Sequence, residues 1–217
     1  MFYGGDFMFL IKNLKFNLGN FELSCPELHF ESKGVTAIRG PSGSGKTTFF
    51  KVLIGEHSPQ NWSWQLNGVE LAHSNISERQ LGVVFQSYEL FPGLTAEENI
   101  KIVMKARGNF TEAALTQLEF YKNQLQLNLC WNTLAQNLSG GEKQRTAVLR
   151  AVMSLPKLIL MDEPFAALDP VLRQESRALV KEVIAKSGVP VLMITHDEED
   201  CRQLADRTIH MSGGRFL

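Results

Sequence analysis

The sequence predicts an α/β fold, with a mostly parallel sheet core, an antiparallel β subdomain and an inserted helical subdomain. Three observations carry this. Short, nearly all-apolar runs end in turn residues, helix-length stretches alternate with them, and residues 96–137 are helical in composition. Near-continuous apolar runs are what a strand covered on both faces requires. Strand–helix alternation argues for parallel crossovers.

The strand candidates are 35–38, 81–85 (LGVVF), 158–161 (LILM), 189–195 (VPVLMIT) and 208–211, the last ending at Ser212-Gly213-Gly214. The helix candidates are 45–54, 140–154, 171–186 and 197–204. Residues 8–34 and 60–80 carry scattered apolar positions and turn signals, and are expected to form short antiparallel strands. TAEENIKIVMKAR and TEAALTQLEFYKNQLQ are rich in good helix formers and form the expected insertion.

Composition narrows the function classes. The chain has 217 residues, 44% of them apolar, enough for one domain with a substantial core. Twenty-two basic residues face 23 acidic ones, a net charge of −1, so no strong field draws nucleic acid or anionic lipid. Cys25, Cys130 and Cys201 are far apart, without metal-ligand spacing, and are expected to be buried thiols in a reducing compartment. No apolar run approaches the ~20 residues that span a bilayer. The opening MFYGGDFMFLI has no basic segment and carries Asp6, so it is not expected to be a secretion signal.

The sharpest motif is Gly40-Pro41-Ser42-Gly43-Ser44-Gly45-Lys46-Thr47-Thr48, placed after a predicted strand and opening a predicted helix. Glycines let backbone N–H groups wrap a phosphate chain, and the helix end adds a favourable dipole. Lys46 suits β- and γ-phosphates, and the Thr47 hydroxyl suits Mg2+.

Next, the apolar run 158–161 ends in Asp162-Glu163-Pro164, putting two carboxylates at the carboxyl edge of the sheet, where ligands bind in open α/β folds. Asp162 can hold Mg2+ and Glu163 can orient or deprotonate water. Such a pair is also a common helix cap or solvated loop. Ser139-Gly140-Gly141-Glu142 opens another predicted helix, either as a second anion-binding tip or simply as a capping box.

In this order the motifs resemble the nucleotide-binding subunit of ABC transporters, over nearly the whole chain. Residues 40–48 match the phosphate loop, Gln86 the Q-loop, Ser139 to Gln144 the signature, and Asp162 and Glu163 the Walker B aspartate and catalytic glutamate. Asp169, in Ala167-Leu168-Asp169, matches the D-loop, and His196 the switch histidine. The resemblance implies a P-loop NTPase (RecA-like) fold and one domain over 1–217. Its core and antiparallel β subdomain would be 1–86 and 155–217, and its helical subdomain, with the signature, 87–154.

It further implies an ATPase working as a head-to-tail homodimer. ATP on residues 40–48 of one copy would meet Ser139, Gly140, Gly141 and Gln144 of the other. Glu163, His196, Gln86 and Lys46 would act in catalysis, Thr47, Gln86 and Asp162 would hold Mg2+, and Asp169 would couple the two sites. In relatives an aromatic stacks on adenine where this chain has Leu18. Phe16 and Phe21 flank that position as possible substitutes, although core strand positions are favoured for both.

The stretches from Gln86 to Thr95 and from Asp162 to Pro170 resemble bacterial importers of small solutes such as molybdate, sulfate, ferric iron, polyamines and thiamine. The implied partners are an integral membrane permease and a solute-binding protein, with no nucleic acid. The implied place is the cytoplasmic face of the cell membrane, as a peripheral subunit soluble when isolated. The chain ends soon after its last predicted strand, so the regulatory domain of some such subunits is not expected. Tyr88, Leu90 and Phe91 either present an apolar groove to the permease or pack the insertion's own core. Export, lipoprotein release and soluble non-transport ATPases stay open as alternatives.

Overall fold

A computed structural model describes residues 7–31 and 33–217, with side chains from residue 9 onward apart from residue 32. Met1 to Asp6, on which the reading of the N-terminal start partly rests, lie outside the described residues. The chain forms two compact units, one of residues up to 80 together with 192–217, the other of 81–191. These divisions fall at other places than the 86/87 and 154/155 boundaries expected from sequence. The helix following residue 139 packs on elements at 81–84 and 170–187, which draws all three into one unit.

In the first unit, β1 (Phe7–Leu18) and β2 (Phe21–Glu31) form a long antiparallel hairpin. Next come β3 (Val35–Arg39), α1 (Lys46–Ile54), β4 (Ser63–Leu66) and β5 (Val69–Glu70). After the second unit the chain returns as β8 (Val191–Thr195), α6 (Glu198–Leu204), β9 (Arg207–Ser212) and β10 (Arg215–Phe216). The strand order is β5-β4-β1-β2-β10-β9-β3-β8. β3 and β9 are parallel, in register from Thr36–Arg207 to Arg39–His210, whereas β1, β2, β4 and β5 pair antiparallel.

The first two strands are 12 and 11 residues long, not the short strands expected. The reason is a parity break. Phe9 and Ile11 point inward, but the next buried residue is Leu14, three positions on; likewise Leu23 and Cys25 give way to Leu28 and Phe30. Asn13 turns left-handed (φ 56°) between the Lys12–Glu27 and Leu14–Cys25 pairs, opposite Pro26, which has no N–H to give. Strict alternation therefore fails mid-strand while the ladder continues.

The second unit holds β6 (Leu81–Val84) and β7 (Leu158–Asp162), paired in parallel from Leu81–Leu158 to Val84–Met161. Its helices are α2 (Ala96–Ala106), α3 (Glu112–Gln124), α4 (Gly140–Met153) and α5 (Pro170–Ser187). Each starts on a capping side chain: Thr95, Thr111, Ser139 and Asp169 in turn. Thr95 and Ser139 complete reciprocal capping boxes with Glu98 and Glu142. The expected helical insertion is α2 and α3. Gly82 is required where β6 crosses α4, because a Cβ there would lie 2.8 Å from the Ala151 carbonyl oxygen.

All three cysteines are free and buried. Burial pushes the Cys25 thiol up to about 12 and Cys130 up to about 11, so neither is a nucleophile at neutral pH.

Candidate functional site

The first unit carries residues 40–48 and His196. The 40–48 loop leaves β3 and enters α1 through Gly45, whose φ of 104° only glycine adopts without strain. No side chain caps α1, so its first N–H groups have no side-chain acceptor, an arrangement that suits an anion. This contrasts with the four side-chain-capped helices of the other unit. Lys46 is buried, and its Nζ donates to the carbonyls of Gly40 (2.7 Å) and Pro41 (3.1 Å), curling the loop around its own ammonium. Thr47, Pro41, Ser42 and Gly43 are exposed, while Ser44 is buried and Thr48 is partly so.

The loop rests on the β9–β10 turn, which sequence reading marked only as a turn. Gly214 N–H donates to the Ser44 carbonyl (2.9 Å), and Ser24 N–H donates to the Gly214 carbonyl (2.8 Å). A Cβ on Gly40 would lie 2.2 Å from the Met211 carbonyl oxygen, and one on Gly45 would lie 2.5 Å from Phe21 Cζ. Phe21 is thus a half-buried brace against the phosphate loop, and not the core residue expected. Phe16, also half-buried, stacks on His57 at 4.7 Å between ring centres, and Leu18 is 53% exposed at the hairpin tip.

His196 follows β8 and is exposed. Its neighbours are fixed: Thr195 Oγ1 donates to buried Asp200 Oδ2 (2.9 Å) and accepts from Asp197 N–H (3.0 Å). Asp197 in turn caps α6.

The second unit carries the other candidates. Asp162 ends β7 with 9% exposure, and the half-buried Glu163 follows with φ 46°. A left-handed glutamate costs about 1–3 kcal/mol, a strain that concentrates at functional positions. Gln86 is exposed just after β6, in the turn closed by Tyr88 N–H donating to the Phe85 carbonyl (2.9 Å). Tyr88 and Glu89 are both left-handed, with φ 65° and 43°.

Of the three residues left between groove and core, Tyr88 is buried, Leu90 is half-buried and Phe91 is 48% exposed. Tyr88, Leu90, Pro92, Gln136 and Lys143 line a cleft of about 170 Å3.

Ser139 and Gly140 are exposed at the tip of α4. Ser139 N–H and Oγ both donate to Glu142 Oε2 at 2.8 Å, and Glu142 N–H returns to Ser139 Oγ at 3.3 Å. Burial raises the Glu142 pKa, but the Ser139 bonds outweigh it and hold the carboxyl below its ordinary value. Gly141 is buried against α5, where a Cβ would stand 3.8 Å from Ser176 Oγ. Gln144, grouped with the tip in the sequence reading, is fully buried one turn inside α4, so its side chain lies away from the surface. Asp169, matched to the D-loop by resemblance, is exposed and accepts from Val171 and Leu172 N–H at 3.1 Å each, which makes it the α5 cap.

Two arginines escaped the sequence reading because their partners are backbone. Arg150, in the last turn of α4, donates to the Glu89 carbonyl (2.7 Å) and the Tyr88 carbonyl (2.9 Å). Arg173 donates to the Ala166 (3.3 Å) and Leu168 (3.0 Å) carbonyls ahead of Asp169. No residue-type pattern marks such contacts.

The family model described as ABC transporter matches residues 23–166. The chain is 32% identical over 209 residues to the probable sulfate/thiosulfate import ATP-binding protein CysA of Chlorella vulgaris, covering 96% of this chain and 89% of that protein. It is 33% identical to the Synechocystis sulfate/thiosulfate import ATP-binding protein CysA, covering 95% of this chain but 59% of that one. The Mesorhizobium japonicum protein of the same name is 35% identical, covering 87% and 56%. The chain therefore spans little more than half the length of several of its relatives.

Among solved structures, the dimeric ATP-binding cassette MJ0796 bound to ADP and Pi matches with a TM-score of 0.78 and 27% identity, over 97% of this chain and 98% of that one. The cassette MJ1267 in its ADP conformation matches with a TM-score of 0.83 at 23% identity over 97% and 89%, which concerns the fold alone. The P-loop NTPase fold that the resemblance implies is the fold these structures share. By the family model, by these relatives, and by a phosphate loop set between β3 and an uncapped α1, the chain belongs to the ABC transporter family as an ATP-binding cassette.

Proposed function

We propose that this chain binds and hydrolyses ATP, and that turnover drives uptake of a small solute through a separate membrane permease. The observation that carries the reading is the N-terminus of α1. A glycine-wrapped loop leads into a helix that no side chain caps, with a buried lysine inside the loop. That combination suits a phosphate chain and little else.

In this reading Gly40 to Thr48 hold the phosphates through backbone N–H groups, with Lys46 on the β- and γ-phosphates. Thr47, Asp162 and Gln86 offer a hydroxyl, a carboxylate and an amide oxygen, a hard all-oxygen set that fits Mg2+. Bound Mg2+ supplies charge neutralisation on the phosphate oxygens. Glu163 orients the attacking water and takes its proton, and His196 steadies the γ-phosphate and Glu163. Attack on the γ-phosphorus is in line, helped mainly by positioning and electrostatics.

Two copies pair head to tail. Ser139, Gly140 and Gly141 of one copy approach the γ-phosphate held by the other, and Gln144 contributes by packing α4 from within. Asp169 links the two sites. ATP is then the shared element of the interface, and phosphate release loosens it.

Residues 87–154 receive the permease, and the cleft at Tyr88, Leu90 and Pro92 is the natural place for a helix of that partner. Among the described residues no helix is long and apolar enough to cross a membrane, and this reading assigns the spanning part to the permease. We place the chain at the cytoplasmic face, and a solute-binding protein completes the importer. The relatives' names favour import over export, lipoprotein release or a soluble role, and put sulfate and thiosulfate among the candidate solutes.

Phosphate release from Mg–ATP by the purified chain tests the reading. The wild type is expected to turn over, Lys46→Ala to lose binding, and Glu163→Gln to bind without turnover. Hydrolysis undiminished in Glu163→Gln would remove that residue from its role.

A further inference from the structure

One helix joins the exposed Ser139 tip to the loop that carries Gln86. Arg150 stands 11 residues after Ser139, about 16 Å along α4 at the usual helical rise. Its two terminal nitrogens each hold a carbonyl, of Glu89 at 2.7 Å and of Tyr88 at 2.9 Å. Those two residues are consecutive, neither is glycine, and both are left-handed. The conformation is intrinsically disfavoured, so surrounding contacts must impose it. Tyr88 N–H also closes the turn onto the Phe85 carbonyl, with Gln86 and Ser87 at its centre. The guanidinium therefore grips the last residue of the Gln86 turn and the residue after it. The buried Tyr88 ring anchors the same place from inside.

The chemistry of the contact is specific to arginine. Two carbonyls at a fixed separation match the planar fork, whereas an ammonium is a point charge on a flexible stem. Burial pulls the Arg150 pKa down, and the Glu89 carboxylate opposes that, favouring the charged donor the two carbonyls require.

We propose that Arg150 is a positioning residue for Gln86, a tie through which the signature helix sets the Gln86 turn. The inference rests on the ATPase reading for its catalytic consequence, but not for its structural part. Movement at the Ser139 end of α4 then reaches Gln86 through a rigid helix and two hydrogen bonds.

The test compares the wild type with Arg150→Lys and Arg150→Ala. Arg150→Lys is expected to keep the charge but lose the fork, lowering kcat at least about tenfold with KM for Mg–ATP within about twofold. Arg150→Ala is expected to be no better. Hydrogen exchange gives a second readout. The Tyr88 amide should exchange at least about tenfold faster in Arg150→Lys, while amides in the middle of α5 keep their wild-type rates.

Unchanged kcat in Arg150→Lys would overturn the proposal. So would a general loss of protection across α4 and α5, which marks a purely structural anchor. Should Arg150→Ala fail to fold, Arg150→Lys carries the comparison. Should the wild type hydrolyse no ATP, the ATPase reading fails, while the Tyr88 amide still decides whether the tie exists.

Discussion

Arg79 is a buried cation whose partners span the first unit. It is 4% exposed, donates through Nη1 to the Leu53 (2.6 Å) and Val52 (3.2 Å) carbonyls, and through Nη2 to the Ala72 carbonyl (3.0 Å). Its Nε reaches the Ser74 carbonyl at 3.3 Å, and its Cζ lies over the Trp64 ring, 5.5 Å from the ring centre. Val52 and Leu53 belong to the last turn of α1, the negative end of the helix that starts at the phosphate loop. Arg79 therefore acts as a charged cap on α1, and Arg79→Ala is expected to strip it.

A charged hydrogen bond contributes about 1.5–3 kcal/mol. The two short bonds, to Leu53 and Ala72, dominate; Val52 keeps a second donor in Gly55 N–H at 3.1 Å. With water entering the space left behind, the loss should be about 4 kcal/mol. A domain of this size loses about 2–4 °C of Tm per kcal/mol, so Tm should drop by about 8–16 °C. Urea unfolding followed by circular dichroism gives the free energy, and calorimetry gives Tm. Arg79→Lys should recover only part of the loss, since one ammonium cannot serve carbonyls on both sides. A loss below about 1 kcal/mol in Arg79→Ala would refute the capping argument.

Three further outcomes follow from the same geometry. Gly45→Ala should cost at least about 2 kcal/mol, because it forces alanine to φ 104° with its Cβ 2.5 Å from Phe21 Cζ; adding Phe21→Ala should relieve the clash but not the backbone strain, and urea titration of both variants reads the difference. Glu142 is held below its ordinary pKa, so its contribution to stability is complete above its unfolded value and is lost as pH falls through the folded one. The stability advantage of wild type over Glu142→Ala should therefore be full at neutral pH and shrink below about pH 4, as urea midpoints across that range would show. Thr195→Val should leave Mg–ATP binding within about twofold but lower kcat about tenfold, since it breaks the Asp200–Thr195–Asp197 chain around His196; steady-state kinetics separate the two.

Much of this was legible in the sequence, for a physical reason. Phosphate loops, capping boxes and apolar strands are local, so the residues that carry them are neighbours in the chain. The strands β3, β6, β7, β8 and β9 and the helices α1, α4, α5 and α6 form close to their expected ranges. The long hairpin was less legible because Asn13 and Pro26 shift the inward parity in both strands at once.

Distant contacts were not legible at all. Arg79 finds the Leu53 carbonyl 26 residues away, and Arg150 finds Tyr88 at 62. A backbone carbonyl has no residue type to betray it. Phe21 shows the converse: a strand aromatic invites a core assignment, yet its ring edge seals Gly45. Gln144 sits beside an exposed tip in sequence, but helix periodicity turns it inward.

The most direct measurement is the molar mass of Glu163→Gln by light scattering, with and without Mg–ATP, beside the double variant Glu163→Gln/Ser139→Arg. If ATP bound on residues 40–48 is completed by Ser139 of a second copy, Glu163→Gln should double in mass on adding Mg–ATP. The double variant should bind ATP and remain a monomer. A double variant that dimerises as readily as Glu163→Gln would contradict the shared-ATP interface.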